Sequence, residues 1–230
     1  DFGMHAPTVY FPLVVPEVNA DDITITGIIA NPNCSTIQCM IPLKVLQRYG
    51  LKRIVFSTYQ SVSGSGLNGL KDLDEGLQAF YPHPIRGNIL PHIDSFLPDG
   101  YTGEEMKMIN ETRKILHEPH LPITATTARV PVRFGHCVSA NVELEQPFDI
   151  DTLKQAFAAQ EGLVLEDDPA HNLYPMPLTA AGRDEVFVGR VRRDHSVASG
   201  VNLWIVADNI RKGAAINAVQ IAERAWALQQ

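Results

Sequence analysis

Apolar positions along this chain fall into short runs separated by Gly, Pro and polar clusters, a pattern of strands and short helices rather than of long amphipathic rods. Residues 12–16 and 24–30 are compact apolar runs that predict buried strands. Asn31-Pro32-Asn33 breaks the chain, and residues 35–49 predict a helix that stops at Gly50 and is kinked by Pro42. A further strand is expected over 53–60, then a Gly/Ser turn at 61–66, a helix over 67–80 and an irregular, proline-bearing crossing over 81–100. Thr102-Gly103-Glu104-Glu105 fits a capping box and opens a helix to His117. Strands dominate 123–144, and a short helix spans 152–160. The runs 185–193 and 201–207 predict a hairpin, and a helix closes the chain over 210–228. The mixture is α+β, with sheet-rich material in the middle and α/β pieces at both ends.

Composition narrows the function classes. A net charge of −7 excludes a nucleic-acid partner, since neutralising phosphates needs a basic surface. No apolar run approaches the length of a membrane span and no secretory leader is visible, so a cytoplasmic protein is expected. The three cysteines Cys34, Cys39 and Cys137 are too few for a disulfide framework, and their spacing fits no metal site. A reducing compartment, where a thiol can serve chemistry, is the natural reading.

Cys34 stands between an apolar run and the first turn of a helix. Helix N-termini carry partial positive charge and unpaired N–H groups, which favour a thiolate and can hold an oxyanion. Position alone also allows a buried structural cysteine, the common fate of a free thiol. Cys39 and Cys137 read as packing residues.

Asn31-Pro32-Asn33-Cys34-Ser35-Thr36-Ile37-Gln38 resembles the active-site motif of the aspartate-semialdehyde dehydrogenases. The resemblance runs along nearly the whole chain in family order, through Phe56-Ser57-Thr58-Tyr59-Gln60, Asn110-Glu111-Thr112-Arg113-Lys114, Ala128-Arg129-Val130-Pro131-Val132, Gly135-His136, Gly189-Arg190-Val191-Arg192-Arg193-Asp194 and residues 208–215. It implies a glyceraldehyde-3-phosphate dehydrogenase-like domain, with a mixed, mainly antiparallel sheet and helices on one face. The implied reaction is NADP-dependent reductive dephosphorylation of β-aspartyl phosphate to the semialdehyde through a Cys34 thioester, in lysine, threonine and methionine biosynthesis. Cysteine suits it, because its thioester stays activated towards phosphate.

The resemblance also assigns roles. His136 is the catalytic acid–base, a residue type that titrates near neutrality. Gln60 orients the substrate beside the cysteine. Arg129 grips its carboxylate with a planar fork. Glu111 and Lys114, three apart on one helix face, bind its amino group and phosphate, and Asn33 completes the substrate site. Ser63, Gly64, Asn209 and Gly213 approach the NADP cofactor. Taken without the motif, a lone histidine is more often structural, and a Glu-x-x-Lys is more often a surface ion pair. Arg129 and His136, seven apart, point to opposite faces of any continuous strand, so the strand must bulge or end between them, with Gly135 the residue that allows it.

The pattern departs from the family at the front. No glycine-rich phosphate turn follows a strand near the start, and Asp1 to Phe11 match poorly. The expectation is a dinucleotide-binding remnant over 1–32, a catalytic and dimerisation domain over 33–207, and a returning helix over 208–230, with exposed apolar surface favouring a homodimer or homotetramer. A non-catalytic paralogue serving as a dimerisation module is the alternative; a cysteine hydrolase shares Cys34 and His136 but leaves Glu111 and Lys114 unexplained.

Overall fold

The computed structural model describes residues 11–230; the part of the front segment at 1–10 lies outside the described residues. In chain order the elements are α1 (Pro16–Asn19), α2 (Cys34–Gln47), β1 (Leu51–Ser61), α3 (Gly66–Glu75), α4 (Gly103–Ile115), β2 (Ile123–Val130), β3 (His136–Leu144), α5 (Ile150–Ala158), β4 (Leu163–Leu165), α6 (Pro177–Ala180), β5 (Val186–Asp194), β6 (Gly200–Ala207) and α7 (Ile216–Ala227), with a π-turn over Arg211–Ala215 leading into α7. The strands form one sheet in the order β2-β1-β3-β6-β5-β4. Pairs β1/β2 and β4/β5 are parallel and the three central pairings are antiparallel, the mixed sheet expected from the sequence.

Alternation along the strands makes the sheet two-faced. Ile54 and Phe56 of β1, Val138, Ala140 and Val142 of β3, and Val201, Leu203 and Ile205 of β6 form the inner face, packed beneath Ile37, Met40 and Ile41 of α2 and Met108 of α4. Burying each of the larger of these side chains contributes roughly 1.5–3 kcal/mol. The outer face carries Tyr59 and Trp204 in ring contact at 5.5 Å, and Asn141, which donates to Asp194 and Asn202.

Three expectations need correction. The runs 12–16 and 24–30 form no strands: only one bridge, Leu13 to Ala30, joins them, and Ile25 and Ile28 are exposed. The first run turns into α1 at Pro16, and Gly27 adopts a φ of 90°, which breaks the extended path of the second. Pro42 lies inside α2, yet the helix runs unbroken from Cys34 to Gln47, with Pro42 buried in it. The helix expected over 67–80 stops at Glu75, where Gly76 turns left-handed at a φ of 71°, while the capping box is formed at Thr102 and Glu105 and β5 and β6 pair as the hairpin.

Candidate active site

The site lies where the inner face of the sheet meets the start of α2. Parallel register sets Arg129 beside Gln60, and the antiparallel register that pairs Tyr59 with Cys137 brings His136 to the other side of Gln60. In-register neighbours point to the same face, so Arg129, Gln60 and His136 all face α2. The seven-residue difficulty is resolved by the strand ending: β2 stops at Val130, β3 starts at His136, and Gly135 turns between them at a φ of 88°.

Cys34 is the first residue of α2, on a turn that Asn33 builds. Asn33 Oδ1 accepts the N–H groups of Ser35 (2.9 Å) and Thr36 (3.3 Å), a cap worth roughly 1 kcal/mol. Two carboxylates of α4 then fix the cap from the side. Glu111 Oε2 accepts the Asn33 backbone N–H at 2.8 Å, and Glu104 Oε1 accepts Asn33 Nδ2 at 2.9 Å. Glu104 Oε1 also accepts Gln60 Nε2 at 3.0 Å. Behind the nucleophile, Gly213 lies so close that a methyl group there would stand 3.2 Å from Cys34 Cβ.

The electrostatics leave the resting thiol protonated. Burial pushes Cys34 up to about 11, Glu104 adds to the rise, and Arg129 pulls against it. Burial first, and then the Arg129 guanidinium, hold His136 well below the ordinary histidine range, so the ring is neutral at physiological pH. Its Nδ1 receives the Ser61 backbone N–H at 3.0 Å. Its Nε2 is buried with no partner among the described residues. Arg129, also buried, anchors Nη1 on the Ser61 carbonyl at 2.8 Å.

Cys34, Asn33, Gln60, Arg129 and His136 are therefore gathered as expected, and two residues are not. Glu111 is spent on the Asn33 backbone N–H, which makes it a support of the cap. Lys114 donates to the carbonyl of Phe11, away from Cys34. Glu104, read from the sequence only as part of the capping box, and Lys107, given no role there, lie on the same side of α4: Lys107 Nζ stands 3.6 Å from Glu104 Oε2 and 2.7 Å from Asp94 Oδ2. The signal was present, since Glu104-x-x-Lys107 precedes Glu111-x-x-Lys114 by seven residues, two turns along the same helix face.

Of the residues expected at the cofactor, Gly64 alone is exposed; Ser63, Asn209 and Gly213 are buried. A methyl group on Gly64 would stand 2.8 Å from Arg129 Nη1 and 3.1 Å from His136 Nε2. Gly64→Ala is accordingly expected to lower kcat roughly a hundredfold by displacing both side chains, and to lower the melting temperature as well because both are buried. Steady-state kinetics beside a thermal melt check this.

This fold, with a thiol at a helix start facing an arginine and a histidine, defines a semialdehyde dehydrogenase dimerisation domain, and the model of the family so described matches residues 43–212. The relatives are more specific. Aspartate-semialdehyde dehydrogenase of Aquifex aeolicus is 49% identical over 227 residues, 92% of this chain and 67% of that protein, and the Bacillus subtilis enzyme is 46% identical over 232 residues. A Vibrio cholerae aspartate semialdehyde dehydrogenase II structure, complexed with ASA, superposes with a TM-score of 0.90 at 43% identity, covering 94% of this chain and 68% of that one. The chain belongs to the aspartate-semialdehyde dehydrogenase family and spans about two thirds of the length of the relatives it matches. Among the described residues no helix is long and apolar enough to cross a membrane, and no cluster fit for a metal ion occurs.

Proposed function

We propose that this chain carries the acyl-transfer site of an NADP-dependent aspartate-semialdehyde dehydrogenase, with Cys34 as the nucleophile. The observation that carries the reading is the convergence of Glu104 and Arg129 on a cysteine at a helix start, with His136 beside Arg129. Cys34 sulfur attacks the acyl carbon of β-aspartyl phosphate; the C–S bond forms, the C–O bond to phosphorus breaks, and inorganic phosphate leaves with the bonding pair. Arg129 takes the substrate carboxylate on the part of its fork not anchored to Ser61. Glu104, rather than Glu111, takes the ammonium, and Lys107, rather than Lys114, receives the phosphate in place of Asp94. Gln60 holds Glu104 in position, and His136 Nε2 meets the carbonyl oxygen.

NADPH, when bound, supplies the hydride that reduces the thioester and releases the aldehyde. The cofactor would approach at Gly64, an exposed position whose bare backbone lies directly against Arg129 and His136. A Candida albicans relative at 25% identity has been solved with NADP, with a TM-score of 0.74. Division into 1–32, 33–207 and 208–230 follows the same reading: the two end segments pack on each other through Val14, Ile23 and Ile221. A homodimer formed through the outer sheet face, where exposed Tyr59 lies against half-buried Trp204, accords with the description of the matched family as a dimerisation domain.

Alkylation of the native chain with iodoacetamide tests the nucleophile. Cys34 is partly exposed, whereas Cys137, pushed up to about 12 by burial, and Cys39, pushed higher still, are closed. Only the thiolate reacts, so labelling at Cys34 is expected to rise about tenfold per pH unit from neutrality until it levels near the thiol pKa. Equal labelling of the three cysteines sinks the assignment.

A further inference from the structure

We propose that Gln38, one turn beyond Cys34, is a positioning residue: by bonding two strands of the sheet at once it sets the height of α2 and so the place of Cys34 against His136 and Arg129. This rests on the acyl-transfer reading of the Cys34 site, in which Gln38 itself has no part.

Gln38 stands four residues after Cys34 on the same face of α2 and is wholly buried. Its Nε2 donates to the backbone carbonyls of His136 on β3 at 3.2 Å and of Ile205 on β6 at 3.3 Å. Both partners can only accept, so the amide atom facing them is nitrogen and the side chain has one orientation. The two carbonyls flank the Cys137–Val206 pair of the β3/β6 ladder. Cys137 and Val206 pack with Ala180 and Phe187 on the outer face. On the inner face that pair presents bare backbone, and the Gln38 amide stands over it.

Packing alone does not ask for an amide here. Gln38 Oε1 is buried with no partner among the described residues, and an orphaned acceptor costs stability. An apolar side chain of the same length would avoid that loss beside Ile37, Met40 and Ile41, which already hold α2 on the sheet. Apolar burial is non-directional. Two hydrogen bonds from one nitrogen to neighbouring strands do have direction, and they fix where along its axis the helix sits.

Cys34 is then held from two sides. Glu104 and Glu111 of α4 fix Asn33 just before it, and Gln38 ties the turn just after it to the strand that His136 opens. The registers of β1 place Gln60 and Arg129 beside that strand end, so one anchor refers the nucleophile to the whole set. A displacement of about 1 Å is enough to cost roughly a hundredfold in rate when sulfur must meet an acyl carbon. The contact is with the His136 backbone and leaves its ring to the chemistry.

Single-turnover acylation tests this. The parent, Gln38→Met and Gln38→Glu are mixed with β-aspartyl phosphate without NADPH, and the Cys34 thioester is followed by mass spectrometry at several substrate concentrations. Gln38→Met keeps the length and loses the donor. Its limiting acylation rate is expected to fall roughly tenfold to a hundredfold, with the half-saturating concentration little changed. Iodoacetamide needs only the thiolate, so alkylation of Cys34 is expected to stay within about twofold of the parent rate. Gln38→Glu, kept protonated by burial, retains one donor for the two carbonyls, and its acylation rate is expected to fall between the other two. Should Gln38→Met fail to fold, Gln38→Glu is judged by the same two rates. Acylation at the parent rate, or an equal loss of acylation and alkylation, overturns the positioning role while the acyl-transfer reading stands. A parent that is not acylated at all defeats that reading and this proposal with it.

Discussion

Replacing Cys34 by serine is expected to lower turnover by roughly four to six orders of magnitude, the range seen when a nucleophile is removed from an otherwise intact site. Burial and Glu104 already push the thiol up to about 11, and an alcohol in that place is far harder to ionise. An oxygen ester is also a poorer carrier for the acyl group than a thioester. The fold should not notice: the cap of α2 is made by Asn33 with the Ser35 and Thr36 N–H groups, and the Cys34 side chain takes no part in it. Stability is therefore expected within about 0.5 kcal/mol of the parent. Reduction of the acyl phosphate, followed as NADPH absorbance beside a denaturant curve, separates the two effects. A serine variant that keeps about a tenth of the parent rate contradicts the nucleophile assignment.

The second large effect is on stability. Lys212→Met is expected to cost about 3–5 kcal/mol, the usual loss when one partner of a buried ion pair is removed. Lys212 is wholly buried, and its ammonium donates to both Glu17 oxygens at 2.7 and 2.8 Å, to Gln220 Oε1 at 2.6 Å and to Asn217 Oδ1 at 3.2 Å. Without it the Glu17 carboxylate, itself 4% exposed, is left charged and unpaired. The double variant Glu17→Leu with Lys212→Met should recover most of the loss, because what costs is the orphaned charge. Urea midpoints of the parent, the single variants and the double variant measure this coupling; additive losses would show that the pair is not the source. Lys212 precedes Gly213 in the π-turn, so the same change loosens the wall behind Cys34.

How legible these features were in the sequence depended on whether they were local. The capping box at Thr102 and Glu105 and the hairpin of β5 and β6 follow from spacing within a few residues, and both were read correctly. Residues 12–16 and 24–30 were misread because an apolar run becomes a strand only beside a partner, which the run itself does not specify. Cys34 and Asn33 were legible as a helix start, since cap chemistry is local. Glu104 was not, because Glu-x-x-Lys occurs twice on α4, and the choice depends on the height at which α4 crosses α2. Helix periodicity gives the face and leaves that height open. The orientation of Asn209 is not legible for a related reason: which end of its amide turns inward is set by Gly135 and Ser61, far away in sequence.

The central claim is that Cys34 becomes acylated by an acyl phosphate. The most direct test is to mix the chain with β-aspartyl phosphate in the absence of NADPH, quench in acid, and locate any adduct by peptide mass spectrometry. A single aspartyl thioester on the peptide containing Cys34, lost on treatment with hydroxylamine and absent from Cys34→Ser, is the expected result. An unmodified Cys34, or equal acylation of Cys137, would contradict it.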